Sequence, residues 1–164
     1  MGDRVSKGRT TVERTSDREL VVTRVFDAPV RLVFEAWSKA ELFSLWWPPK
    51  ESPMPLLSCE MDVRTGGGYR LVFGRDEANS MAFFGKYLEV TPLSRMVWTN
   101  EEGGEGAGAV TTVTFEAQGD RTLVVLREAY PSKEAFEEQG GADDALPMQF
   151  EQLDELLVTL AAKA

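Results

Sequence analysis

Apolar positions along this chain change their spacing twice, and the changes divide it into three stretches. Residues 19–26, Glu19-Leu20-Val21-Val22-Thr23-Arg24-Val25-Phe26, are rich in β-branched side chains and predict a strand. Asp27-Ala28-Pro29 then opens a helix, with proline suited to its first turn. Val30, Val33, Phe34 and Trp37 follow at steps of three and four, one apolar stripe of an amphipathic helix. Ser38-Lys39-Ala40-Glu41 has the spacing of a capping box and predicts a second short helix. That helix carries Leu42, Leu45 and Trp46 and stops at Pro48-Pro49.

From residue 56 to residue 129 the period is that of strands, predicted over 56–64, 69–74, 81–90, 95–99, 110–116 and 122–129. Turn residues separate them: Thr65-Gly66-Gly67-Gly68, residues 76–80, Thr91-Pro92-Leu93, a glycine-rich stretch over 101–108, and Gln118-Gly119-Asp120. Most of these connections are too short for a crossover helix, so the run predicts an antiparallel meander. The helical period returns after residue 130. Ser132 caps a short segment over 133–139, ended by Gly140-Gly141. Leu146, Phe150, Leu153, Leu157 and Leu160 then lie on one stripe of a long final helix with Pro147 near its start. The sheet is the surface large enough to receive that stripe. The expected architecture is therefore α+β: a seven-stranded curved antiparallel sheet wrapped round a long C-terminal helix, with two short helices between strands 1 and 2. Residues 18–164 are expected to form a single domain, and residues 1–17, polar and without a sustained period, a flexible N-terminal arm.

Composition narrows the chemistry. The 164 residues include no histidine and one cysteine, Cys59. Ser-His-Asp and Cys-His catalysis, histidine metal sites and intramolecular disulfides are excluded on that count. Cys59 lies in an apolar run and is expected to be a buried, inert thiol. The net charge of −9 is concentrated late: residues 101–164 carry fourteen acidic and four basic side chains, while residues 18–100 carry ten of each. A nucleic-acid partner, which needs many cations, is not expected. The late acidic half reads as a solvated surface. No apolar run is long enough to span a membrane, and Met1-Gly2-Asp3-Arg4 lacks a signal-peptide core, so a cytoplasmic location is expected.

Other candidate groups weaken on inspection. Thr65-Gly66-Gly67-Gly68 has neither the P-loop lysine nor a following helix, and is expected to be a tight turn. The loop over 101–108 lacks a calcium-type spacing of oxygen ligands and is expected to be a simple flexible hairpin connection. Neither metal nor cofactor is expected. Glu60, Asp62 and Arg64 share one face of a strand, where cross-strand ion pairing towards solvent is the expected role, and Arg70 is expected to sit outside as well.

The order of several motifs resembles a known bacterial family. Phe26-Asp27-Ala28-Pro29-x-x-x-Val33-Phe34-Glu35-Ala36-Trp37, then Glu41-Leu42 and Trp46-Trp47, match its opening. Residues 62–70 (Asp62-Val63-Arg64-Thr65-Gly66-Gly67-Gly68-Tyr69-Arg70), Gly85-x-Tyr87-Leu88-Glu89-Val90-x-Pro92, residues 110–116 and Phe150-Glu151-Gln152-Leu153-Asp154-Glu155-Leu156-Leu157 continue it. The family is named after the activator of heat-shock protein 90 ATPase and belongs to the START-like helix-grip (SRPBCC) superfamily. The resemblance covers about residues 19–160 and implies a helix-grip fold. It also implies a superfamily that includes lipid carriers, cyclases and hormone receptors. Many members carry Gly-Trp at the start of the last helix, where this chain has Met148-Gln149, a change expected to reshape any pocket there.

The functional expectation is binding of a small, largely apolar molecule in a cavity between the curved sheet and the C-terminal helix. Its expected lining is Trp37, Trp47, Tyr69, Phe73, Phe83, Trp98 and Met148, with Trp37 interior and Trp47 at the mouth. No catalytic residue is assigned. Two alternatives stay open: a cyclase- or hydrolase-like enzyme using Tyr69, Glu60 or Asp62 in the same cavity, and a co-chaperone-like protein-interaction module. The latter would bring a protein partner to the acidic half. A homodimer stays open too.

Overall fold

The computed structural model describes residues 4–7, 10–48, 55–76, 78–101, 108–139 and 142–163. Nine strands form one antiparallel sheet: β1 (Arg4–Lys7), β2 (Thr10–Ser16), β3 (Glu19–Phe26), β4 (Leu56–Met61), β5 (Gly68–Asp76), β6 (Asn79–Thr91), β7 (Arg95–Thr99), β8 (Val110–Gln118) and β9 (Arg121–Ala129). Their spatial order is β1-β2-β3-β9-β8-β7-β6-β5-β4. Every step but one joins neighbours in sequence; β3 against β9 is the pairing that returns the chain's last strand to its beginning. Between β3 and β4 run α1 (Val30–Ser38) and α2 (Ala40–Trp46); after β9 come α3 (Lys133–Gln139) and α4 (Ala142–Lys163).

Among the described residues the count is nine strands, not the expected seven. Residues 4–7 and 10–16, expected as part of a loose arm, pair as strands, with Val12 opposite Val22 on β3. The reason this was hidden is chemical. The buried positions of β2 are Thr10 and Val12, and Thr10 is satisfied there by the Arg24 guanidinium. A strand whose inward residue is a threonine leaves little apolar alternation to find.

Strand alternation sets the inner face. Val22, Arg24 and Phe26 on β3, Val124 and Leu126 on β9, Val113 and Phe115 on β8, and Met96 and Trp98 on β7 are all buried. α4 lays Leu146, Phe150, Leu153 and Leu157 against this face and packs on α1, α2, β2 and β3. At roughly 2 kcal/mol for each fully buried apolar side chain, that stripe is the main attachment of the helix.

Local details differ from the sequence reading in two places. α2 begins at Ala40, but no side chain caps it, so the Ser38–Glu41 box does not form; Lys39, with extended backbone, is the joint. Ser132 does cap α3, accepting from the Ala135 amide at 3.1 Å. β4 stops at Met61 because residues 62–67 fold back on themselves. Gly66 adopts a left-handed φ of 90°, and a side chain at Gly67 would collide with the Asp62 carbonyl. The glycine-rich turn is thus a turn. Its Gly66 and Gly67 amides donate to the carbonyls of Tyr87 and Arg64, so they are not free to cradle an anion. The expected flexible connection over 101–108 falls mostly outside the described residues.

Candidate functional site

Three aromatic groups build the interior, and the expected lining residues divide among them. The first lies where α1, α2 and α4 meet the sheet. Trp37 on α1 is fully buried, with Trp46 4.7 Å away (ring centroids), Trp98 at 6.0 Å, Phe150 at 6.1 Å and Trp47 at 6.2 Å. Trp47, at the C-terminal end of α2, is half-buried and stacks on Phe43 at 4.9 Å. Adjacent helical positions point about 100° apart, which is why Trp46 is wholly enclosed while Trp47 is not. The Trp46 indole donates to the Ala36 carbonyl at 2.8 Å, but the buried Trp37 Nε1 has no acceptor.

The second group is a row along the inner face: Trp98 on β7, Tyr87 on β6 at 6.4 Å, and Tyr69 on β5 at 5.8 Å from Tyr87. Tyr69 is half-buried, and its hydroxyl donates to the Thr99 carbonyl at 2.7 Å with Asn100 Oδ1 3.2 Å away. Asn100 in turn donates to the Ala109 carbonyl and to the buried Thr111. Gly85 lies opposite Tyr69, and a side chain there would run into the same Thr99 carbonyl. The glycine therefore makes room for the backbone that Tyr69 holds.

The third group is the pair Phe73 and Phe83, edge to face at 5.7 Å on β5 and β6. The register places Tyr69, Leu71 and Phe73 on the same face as Met81, Phe83 and Gly85. On β4 the residues of this face are Cys59 and Met61, opposite Leu71 and Tyr69. Phe83 is 38% and Met81 56% exposed, although both belong to the concave side of the sheet. Met148, on α4 between the buried Pro147 and Gln149, is 38% exposed.

The charged candidates lie elsewhere. Glu60, Asp62, Arg64 and Arg70 are all exposed, and Asp62 pairs with Arg64 at 2.9 Å. Glu60, Asp62, Arg70 and Phe84 border an open groove of about 670 Å³ that also reaches Met61, Gly68, Tyr69 and Gly85. Among the described residues no cluster of three Cys, Asp or Glu side chains is arranged to hold a metal ion. Cys59 is half-buried beside the Ala40 carbonyl and Met61 Sδ, and burial pushes its thiol above the ordinary range. It is a poor nucleophile at neutral pH. Burial likewise raises the Tyr87 phenol far above its ordinary value, helped by the nearby Cys59 and Asp62.

This geometry agrees with the comparisons. Residues 27–158 match the family described as Activator of Hsp90 ATPase homolog 1-like protein. The chain belongs to this family. Solved structures share its fold: a Rhodobacter sphaeroides protein (19% identity, 93% of this chain and 98% of that one, TM-score 0.79), a Nitrosomonas europaea protein (24%, 91% and 99%, 0.76) and a Mycobacterium smegmatis protein (18%, 96% and 99%, 0.76). No curated protein sequence matches the chain.

The Met148-Gln149 pair of α4 brings one side chain into the packing against α2. Gln149 is buried, and its amide donates to the Trp47 carbonyl at 2.6 Å. One turn on, Gln152 donates to the carbonyls of Trp46 and Pro48 at 2.7 and 2.9 Å. Two α4 side chains thus cap the end of α2, whose last carbonyls have no helical partner. Arg24 fixes the other side of α4. Buried on β3, it donates to Glu151 at 2.8 Å, pairs with Asp154 at 3.3 Å and reaches Thr10 at 3.2 Å. Residue type and spacing alone did not reveal these roles for Arg24, Gln149, Gln152 or Asn100. The glutamines carried one available signal: at i and i+3 they flank the apolar stripe of α4, where a polar residue is buried only with a partner.

Proposed function

We propose that the protein binds a small, largely apolar molecule on the inner face of β4–β6, against Tyr69, Phe73, Phe83 and Trp98 and beside α2. The observation that carries this reading is where α4 sits. It packs on β2, β3 and the two short helices, and the concave side of β5 and β6 keeps Met81 and Phe83 exposed. An apolar concave surface bordered by backbone-anchored polar groups is the usual make-up of a small-molecule site. A ligand burying about 150 Å² of apolar surface there would gain about 4 kcal/mol before the costs of association. The family's helix-grip fold commonly receives hydrophobic ligands, which supports the same reading.

The site this reading uses is not the cavity under α4. There Trp37, Trp46, Phe26 and Phe150 fill the space between helix and sheet. Of the expected lining, Tyr69, Phe73, Phe83 and Trp98 face the proposed ligand, and Trp37 and Trp47 support it from α1 and α2. Met148 has no part in it. An acid–base reaction through Glu60 or Asp62 finds less support, since both carboxylates are exposed and Asp62 is held by Arg64.

The test is a fluorescence titration with the neutral apolar probe N-phenyl-1-naphthylamine. Saturable binding of one probe per chain is expected, weakened about tenfold or more when Phe83→Lys puts a charge on the wall. Binding that is unsaturable, or indifferent to Phe83→Lys in a folded variant, removes the reading.

A further inference from the structure

The proposed wall ends in a polar corner whose donors and acceptors do not balance. Asn100, one residue beyond β7, donates from Nδ2 to the Ala109 carbonyl at 2.8 Å and to the Thr111 hydroxyl at 3.0 Å. A carbonyl only accepts, so these bonds fix which end of the amide is nitrogen. Asn100 Oδ1 is thereby the atom 3.2 Å from the Tyr69 hydroxyl. That hydroxyl has one proton and a nearer acceptor, the Thr99 carbonyl at 2.7 Å. Two acceptors compete for one proton, and the shorter contact gives it to Thr99. Among the described residues no other donor reaches Asn100 Oδ1.

The corner lies within reach of a molecule on the apolar face. Tyr69 shares that face with Leu71, Phe73 and Phe83, and stands opposite Gly85, two residues from Phe83 on β6. Two residues of strand span about 7 Å, the length of a bicyclic ring system. Tyr69 and Asn100 are half-buried, whereas Ala109 and Thr111 behind them are closed off. Ligand chemistry then divides in two. A ketone, ether or carboxylate brings another acceptor to a corner already short of protons. A carboxylate also loses its hydration without a buried cation to replace it, since Arg24 is committed to Glu151 and Asp154 under α4. A hydroxyl brings the missing proton.

We propose that the ligand of this site is a neutral apolar molecule carrying a hydroxyl group, which donates to Asn100 Oδ1 beside Tyr69. This deepens the apolar-ligand reading and rests on it.

The test compares 2-naphthol with 2-methoxynaphthalene, which keeps the ring system and the oxygen but has no proton to donate. Both are titrated against the full chain and against Asn100→Ala. The naphthol-to-methoxynaphthalene affinity ratio is expected to fall about fivefold in Asn100→Ala. A second measurement needs no variant: naphthol displaces the Asn100 side-chain amide signals in a nitrogen–proton spectrum well beyond the displacement caused by methoxynaphthalene. A ratio unchanged in folded Asn100→Ala, or equal displacement by the two probes, overturns the hydroxyl assignment and leaves the apolar-ligand reading standing. Failure of both probes to bind the unsubstituted chain overturns both.

Discussion

Tyr87 shows how one side chain couples folding to site chemistry. Its ring is buried beside Trp98, and burial raises the phenol above its ordinary range, so the folded protein keeps the proton at pH values where the unfolded chain releases it. Below those values both states carry the proton and the group is neutral in its effect. Within them the folded state binds more protons, so stability falls as pH rises, by up to about 1.4 kcal/mol per pH unit from this group alone. Tyr87→Phe is therefore expected to flatten the alkaline loss of stability, read from denaturant midpoints at rising pH. An alkaline profile identical to that of the unsubstituted chain would show that the phenol is not held neutral by the fold. Residue identity alone gave part of this picture. Strand alternation put Tyr69 and Phe73 on one apolar face of β5, and the pairing register adds Phe83 of β6 to that face. The roles of Gly85 and Asn100 were not legible, because each depends on where the Thr99 carbonyl passes, and that is fixed by pairing between β5, β6 and β7 rather than by any local pattern.

At the scale of elements, α4 is held by three kinds of contact: an apolar stripe, the Arg24 cluster and two glutamine amides. The stripe follows from the 3.6-residue period and was visible in the sequence. The amides follow from the approach of α4 to the end of α2, across about a hundred residues of chain, and no spacing rule encodes that. Removing them tests the arrangement. Gln152→Ala leaves two carbonyls without this donor and Gln149→Ala one. Gln152→Ala is expected to cost about 2 kcal/mol and Gln149→Ala about 1 kcal/mol in denaturant unfolding, each with faster amide exchange across α2. Costs below about 0.5 kcal/mol for both would mean that water satisfies these carbonyls as well as the helix does. The edge hairpin was illegible for the complementary reason. β2 buries a threonine against an arginine, and the ion pairs that make this tolerable come from α4.

For the whole molecule, the sequence specified an antiparallel sheet gripping a terminal helix, and its motif order specified the family. The helix does not cover the sheet evenly, however. The sheet gained two strands at the β3 edge, and α4 rests on that side, on β2 and β3, rather than over β4–β6. The exposed apolar side chains Met81 and Phe83 lie on one face of β5 and β6, away from the strands that α4 packs on. No helix among the described residues is long and apolar enough to cross a membrane. Among the described residues an open groove is bordered by Glu60, Arg70 and Phe84, and the proposed site has to be distinguished from it. Chemical-shift mapping with N-phenyl-1-naphthylamine distinguishes them directly. The account predicts saturable shifts at Tyr69, Phe73, Phe83, Tyr87 and Trp98, with Arg70 and Phe84 unmoved. Shifts centred on Arg70 and Phe84, with Phe73 and Phe83 silent, would contradict it.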